Sequence, residues 1–490
     1  MVVVLSLVLF TAHVSYAAYN HAGDTDSVNF RTVYPNAIGT KLDSCTLCHR
    51  GSSTSNVPPD PVTYGSCQWC HYKCNYTAPC ANIVDTLNPY GKDYLANGRG
   101  VSAIEAIANF DSDLDGYPNA VEIADIRYPG DPNDTPAKVP APYRIYTRDQ
   151  LEQMPQHTQF LLMNVTKSKD GDSYVQYSGV VMEELLNRAG MLSSATDIIV
   201  YSPDGFSWTH PLLPPVTQDP LHLQYFVVGP YPKGTYYYST QADMSLNTTC
   251  GWCNYSAPSC AGRIKSEAGD PISDDVRLLL GIKRDGVYLT PGVLDNTNKL
   301  NGEGPFRVIP PQVIPGPPDQ SKTASTGCKN VIWPYSDNND HNAGASTRST
   351  TIIKVDPLPL GTTDIDLLEA GWDYIDENKI VVYGAIDPVP TIVEKLKGLI
   401  ASIKETPDKA FRNCLLDEVL MIELMFIKAE VEYGAYKAAL WGLQNYIQTK
   451  TDGCISGSGA DRNDWVTDCN IQRQFYWALN EIIVLLKILV

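Results

Sequence analysis

The chain is short of basic residues and of histidine, and both shortages narrow its chemistry. Its 490 residues hold 37 Lys and Arg against 55 Asp and Glu, a formal net charge of −18. A surface of that sign excludes nucleic acid and anionic bilayers as natural partners and favours cationic partners or metal ions. No Lys or Arg precedes Arg31. No run approaches the roughly eighteen uninterrupted apolar residues of a membrane-spanning helix, and the closing "EIIVLLKILV" is only about half that length. Also missing are a Gly-rich phosphate loop, a Ser-His-Asp signature and an HExxH pair, which removes three common routes to catalysis. Between residues 18 and 140 there is no methionine, the next being Met154, and the only histidines are His21, His49 and His71.

What is present describes a globular chain, with 43% hydrophobic and 19% charged residues. Its length suggests roughly three domains. Thirteen cysteines point away from a reducing cytosol. The start, "MVVVLSLVLFTAHVSYAAYN", has an apolar run from Val2 to Phe10 and then small residues, with Ser15 and Ala17 at the −3 and −1 positions of a cleavage site. It reads as a secretory signal over 1–17, although the basic n-region is absent; an apolar N-terminal strand is the plainer alternative.

In "DSCTLCHRG" Cys45 and Cys48 stand two residues apart with His49 directly behind, and "SCQWCHYKC" repeats the arrangement with Cys67, Cys70 and His71. Outside the cytosol this spacing is that of covalent haem c attachment: two thiols add to the porphyrin vinyl groups, and the adjacent imidazole meets the iron. A zinc site would want four convergent ligands and a redox dithiol a βαβ setting, and neither context is visible. With His49 and His71 as proximal ligands, His21 remains for one distal position. The other falls to a weak ligand, an open site or a later histidine: His157, His210, His222 or His341, of which His341 has the most polar surroundings. Without methionine ligation the potentials are expected to be lower than those of His/Met cytochromes.

"DSDLDGYPNAVE", residues 111–122, matches an EF-hand calcium loop. Asp111, Asp113 and Asp115 offer carboxylates, Gly116 the turn, Tyr117 its carbonyl, Asn119 the ninth position directly or through water, and Glu122 a bidentate carboxylate. Ser102 and Glu105 stand at capping-box spacing before it, and "AVEIADI" continues as a helix. Pro118 departs from the usual loop, and there is no second copy to pair with. It resembles a solitary loop of the dockerin or bacterial surface type. An Asp-rich turn without metal is the plainer alternative.

Cys74 and Cys80 suit a local disulfide, whereas "CGWCNYSAPSC" has Asn254 where a ligand histidine would stand, so no third haem is expected. Cys250, Cys253, Cys260 and Cys328 suit disulfides or a thiolate metal site. "YPGDPNDTPAKVPAP" marks a boundary. Beyond it, "YSGV…LL…AG", "Y-x-x-DG", "R-DG-x-x-L" and "G-P-F-R-V-I-P" occur in an order that resembles the molybdopterin-binding domain of the sulfite oxidase family, over residues 143–311. That resemblance implies a cysteine ligand to molybdenum upstream of "YSGV". The segment "TQFLLMNVTKSKDGDSYVQYSG" has none, and Met163 is a poor thioether substitute, so molybdopterin is not expected. Strands are expected in "STTIIKVDPLP" and "NKIVVYGAI", as a small β-domain or as the completion of the preceding one.

From about residue 390 the period becomes helical, with "LLDEVLMIELMFIKAEVEYG" ending at Gly434. Cys454 and Cys469 bracket a loop they could staple, and this region resembles FIMAH-type domains of exported bacterial proteins. The expected organisation is a multidomain α+β chain. It comprises a signal at 1–17, a dihaem unit at 18–140, a sulfite-oxidase-like α/β unit at 141–311, a linker and β segment at 312–388, and a helical bundle at 389–490. "GTKLDSCTLCH" and "LNPYGKDYLANG" resemble exported multihaem c-type cytochromes. This implies periplasmic or extracellular electron transfer to redox partner proteins or extracellular acceptors, with self-assembly conceivable. An enzyme with molybdenum feeding its own haems and a cell-surface haem-binding protein are the alternatives.

Overall fold

The computed structural model describes residues 25–38, 40–43, 45–49, 52–54, 62–64, 83–163, 173–203, 206–214, 225–229, 231, 236–238, 270–272, 275–292, 300–311, 346–365, 374–375, 377–456 and 459–490. Helices and sheets are mixed around separate hydrophobic cores, which agrees with the multidomain α+β class expected from the sequence. Among the described residues no helix is long and apolar enough to cross a membrane.

The first core gathers Phe30, Leu42, Leu47, Tyr90, Tyr94 and Ile104 with Ile123 of the helix Asn119–Ala124. Its central element is the helix Pro89–Ala96. Pro89 sits where a missing N–H costs nothing, and Tyr90 and Tyr94, one turn apart, bury the same face. The helix Val101–Ala106 starts one residue before Ser102, so Ser102 does not cap it as expected. Gly100, at φ +93, makes the sharp entry and donates its N–H to the Tyr94 hydroxyl at 2.9 Å, which does the work a capping box would do.

The central unit is built on two sheets. In order across the larger one lie Ser52–Thr54, Val62–Tyr64, Phe206–Pro211, Asp197–Tyr201, Ile352–Asp356, Lys379–Gly384 and Tyr143–Thr147. Only the pair Ile352–Asp356 with Lys379–Gly384 is parallel. Both "STTIIKVDPLP" and "NKIVVYGAI" thus lie inside this sheet and complete the preceding unit. The second sheet joins Gln156–Met163, Ser173–Val181, Leu279–Arg284, Val287–Tyr288 and Arg307–Ile309. Ile198, Val200, Ile353 and Val382 from the first sheet meet Val180, Leu280 and Val308 from the second, with the helix Met182–Ala189 in the same core. Ser52–Thr54 and Val62–Tyr64, which lie between the two Cys-x-x-Cys-His motifs in sequence, form the edge of this sheet through Thr63 opposite Ser207.

The helices Val389–Glu405, Leu416–Glu432, Tyr436–Gly442 and Cys469–Lys487 form the bundle. Cys454 and Cys469 are joined by a disulfide that closes its loop. Val139 is buried in the bundle core, while the strand it starts, Val139–Pro140, pairs in parallel with Thr362–Thr363.

His210 lies opposite Ile198 on the core side of the larger sheet and is fully buried. Its Nδ1 pairs with the Tyr225 carbonyl at 3.0 Å, and its Nε2 has no partner. Burial pushes its pKa down to about 4, with the Tyr225 carbonyl opposing. The unfolded chain, with a histidine pKa of about 6.5, takes up this proton first. Stability is therefore intact above about pH 6.5 and falls as the pH drops toward 4, by up to roughly 3 kcal/mol from this residue. Urea titrations across that window are expected to show a steeper loss in the native chain than in His210→Leu.

Candidate functional site

The turn that carries Cys45, Cys48 and His49 opens as the 3-10 segment Cys45–Leu47 and closes with an isolated bridge between His49 and Leu87. One side chain holds it from below. Asn88 caps the helix Pro89–Ala96 by accepting the Gly91 N–H at 2.8 Å. Its amide nitrogen reaches the carbonyls of Leu47 at 2.9 Å and Thr46 at 3.4 Å, and its backbone N–H donates to the Cys48 carbonyl at 2.8 Å. Gly91 is required by this approach, because a Cβ there would lie 2.3 Å from the Cys48 oxygen. The His49 Nδ1 pairs with the Thr86 hydroxyl at 2.8 Å, which fixes the ring and directs Nε2 to any other partner. Tyr90, 1% exposed, has a hydroxyl without a partner. Burial raises the pKa of that hydroxyl, and nearby Cys48, Tyr34 and Tyr94 add to the effect.

The Asp loop is arranged as its spacing predicts. Carboxylate oxygens of Asp111, Asp113 and Asp115 lie within 4.8 Å of one another. Leu114 at φ +66 and Gly116 at φ +100 make the tight bends, with Leu114 turned out to solvent. Asp111 accepts the Asp115 and Gly116 N–H groups at 3.1 and 3.0 Å, and Asp115 accepts that of Tyr117 at 2.8 Å. Glu122 is 0% exposed and neither carboxylate oxygen has a partner. Both oxygens of Asp113 and one of Asp115 are also buried without partners. Burial pushes Asp113 up to about 6 and Glu122 up to about 9, and the neighbouring carboxylates push the same way. Five orphaned acceptors of one sign are costly unless a cation satisfies them, and an all-oxygen set suits a hard divalent ion. Asn119, at the ninth position, also braces the loop: its amide donates to the Ile107 carbonyl at 2.8 Å and to Ser112 Oγ at 2.9 Å, and its Oδ1 accepts the Ser112 N–H at 3.3 Å. It holds the loop shut across its base.

Sequence reasoning overlooked Asp134, which is buried 12 residues beyond Glu122 and meets Lys41, Arg127, the Tyr128 N–H at 2.9 Å and the Thr363 hydroxyl at 3.1 Å. A lone Asp in a Pro-rich stretch carries no periodic signal, so only its contacts identify it. A second acidic group, Asp452, Asp461 and Asp464, also went unnoticed. There Asp464 accepts backbone N–H groups of Gly453 and Asp461, and Asp461 those of Asn463 and Asp464, so this loop is internally satisfied.

His21, Cys67, Cys70, His71, Cys74, Cys80, His222, Cys250, Cys253, Cys260, Cys328 and His341 lie outside the described residues. His157 stands on the strand Gln156–Met163 opposite Gly179, and His210 is sealed in the central core, so neither is brought to the Cys45–His49 turn by the sheet that carries it. No family model, curated protein or solved structure matches the chain.

Calcium is expected to raise the melting temperature, by the equivalent of about 2.7 kcal/mol at a hundredfold excess over Kd. Glu122→Gln should abolish that increment while the Cys454–Cys469 bundle stays folded by circular dichroism. Asn88→Ala removes a cap and two further side-chain bonds, and is expected to cost roughly 2–4 kcal/mol in denaturant titrations.

Proposed function

We propose that this chain is an extracytoplasmic dihaem c-type cytochrome that carries electrons, with a calcium-braced haem unit and with central and C-terminal units that dock it to partners. The observation that carries the reading is the Cys45–His49 turn, whose carbonyls are clamped by Asn88 and whose imidazole is oriented by Thr86. A histidine ligand must present one nitrogen while the other is held, and Thr86 holds Nδ1. The orphaned Tyr90 hydroxyl beside Cys48 fits a site that a further group completes.

On this reading Cys45 and Cys48 form the thioethers of one haem and His49 supplies its proximal nitrogen. Cys67, Cys70 and His71 do the same for the second, and His21 is the distal ligand expected for one of them. When bound, the haem irons supply one-electron chemistry. The protein's own residues orient the imidazole, exclude water from the turn through Leu47 and Tyr90, and hold the attachment segment against its core. The short edge strands Ser52–Thr54 and Val62–Tyr64 pair with the central sheet, and the second motif begins three residues later in sequence. His341, among polar neighbours, stays the preferred later ligand, because His210 is spent on the Tyr225 carbonyl and the apolar core. The central unit is read as a scaffold of the sulfite oxidase type without its molybdenum thiolate: the strand Gln156–Met163 and its partner Ser173–Val181 carry no cysteine.

Produced with c-type maturation and export, the chain is expected to give two c haems in a pyridine haemochromogen assay, two irons and no molybdenum, and full reduction by dithionite. Cys48→Ala should leave one haem. One molybdenum per chain would replace this reading with the molybdenum enzyme, and absence of haem would refute it.

A further inference from the structure

The helix Leu416–Glu432 is apolar on two sides, and the bundle uses only one of them. Leu420, Leu424, Ile427 and Val431 are buried in the bundle core. On the other side, from the residue that precedes the helix to the one that follows it, stand Leu415, Val419, Ile422, Phe426, Ala429 and Tyr433. The steps between them alternate four, three, four, three and four, a mean of about 3.6 residues, the α-helical repeat, which keeps all six in one seam about 27 Å long. Leu415 is 62% exposed, Ile422 52%, Phe426 66% and Tyr433 90%. The alternation of four and three residues is that of the a and d positions of a heptad, and its complement is a second helix laid along it, whose side chains interlock with the seam.

The flanks say which helix. Glu423 and Glu430 border the seam on one side, Glu418 and Glu432 on the other, and Lys428 is taken up by Glu432 in an ion pair of 2.8 Å. Glu418, Glu423 and Glu430 make no ion pair among the described residues. A second copy is a poor complement: parallel packing sets Glu418 against Glu423, antiparallel packing sets Glu423 against Glu423, and each chain already carries a net charge of −18. An occupant with Lys or Arg at its own flanking positions turns those repulsions into attractions.

We propose that this face of the bundle docks an amphipathic helix of another protein, one with apolar residues at heptad spacing and basic residues beside them. The inference does not depend on the haem reading, and the two fail separately.

The test uses the full chain and a fluorescent peptide of three heptads with Leu at the seam positions and Lys at the flanks, followed by anisotropy at nanomolar peptide. Saturable binding is expected, roughly tenfold or more tighter than for a scrambled peptide of the same composition or for the version with Glu at the flanks. Phe426→Glu should weaken the Lys peptide by about tenfold or more although it makes the chain more negative, the reverse of what diffuse charge attraction gives. The double variant Glu423→Lys, Glu430→Lys should shift preference to the Glu peptide. Since these side chains lie on or beside the exposed seam, unchanged circular dichroism is expected for both variants. Equal binding of the scrambled peptide, no effect of Phe426→Glu, or no saturable binding would each overturn the proposal. So would a dimer of the wild-type chain that Phe426→Glu dissolves in sedimentation, or neutral lipid vesicles that bind only while Phe426 is present.

Discussion

The Asn88 side chain is the interaction on which the front of this molecule depends. One amide closes the N-terminus of the helix Pro89–Ala96 and at the same time grips the Thr46 and Leu47 carbonyls, while the adjoining backbone takes Cys48. A turn of five residues has no core of its own and would otherwise sample many conformations. Bound to a capped helix whose Tyr90 and Tyr94 are buried, it acquires the rigidity of the whole unit. The consequence for function is geometric: Cys48 and His49 sit in a turn whose carbonyls Asn88 holds, with the ring orientation set by Thr86.

The loop at 111–122 and the segment after it carry that rigidity into the rest of the chain. The Glu122 carbonyl accepts the Arg127 N–H at 2.7 Å, and Arg127 reaches Asp134 and the Lys138 carbonyl. Asp134 in turn meets Lys41, close in sequence to the Cys45–His49 turn, and Thr363 of the central unit. Five residues later Val139 is buried in the helical bundle. A buried acid with two cations and two hydrogen-bond donors is well satisfied, whereas both carboxylate oxygens of Glu122, at the head of this chain of contacts, are buried without a partner. A calcium ion in this loop, as proposed above, would brace a junction of three units.

Local signals were readable in the sequence where a short-range rule governs them. The Asp-x-Asp-x-Asp-Gly spacing foretold converging carboxylates, Cys454 and Cys469 the disulfide, and the helical period the bundle. Ser102 misled because glycine at positive φ outcompeted a hydroxyl cap one residue away. What could not be read depends on distant partners. The strands Ile352–Asp356 and Lys379–Gly384 complete a sheet whose first strand in sequence is Ser52–Thr54, and no local pattern encodes that pairing. The motif places Asn119 at the ninth position, directly or through water, but does not tell that its side chain also meets the Ile107 carbonyl and Ser112. The role of Asn88 was not read in the sequence: "LNPYGKDYLANG" carried only a resemblance, and that its Asn holds a turn forty residues upstream depends on a distant contact.

Covalent attachment is the central claim, and intact mass spectrometry of the exported chain under denaturing conditions tests it most directly. A thioether-linked porphyrin survives unfolding, so the account predicts the mature polypeptide plus two haems. The bare polypeptide mass, from a host with working c-type maturation, would contradict it.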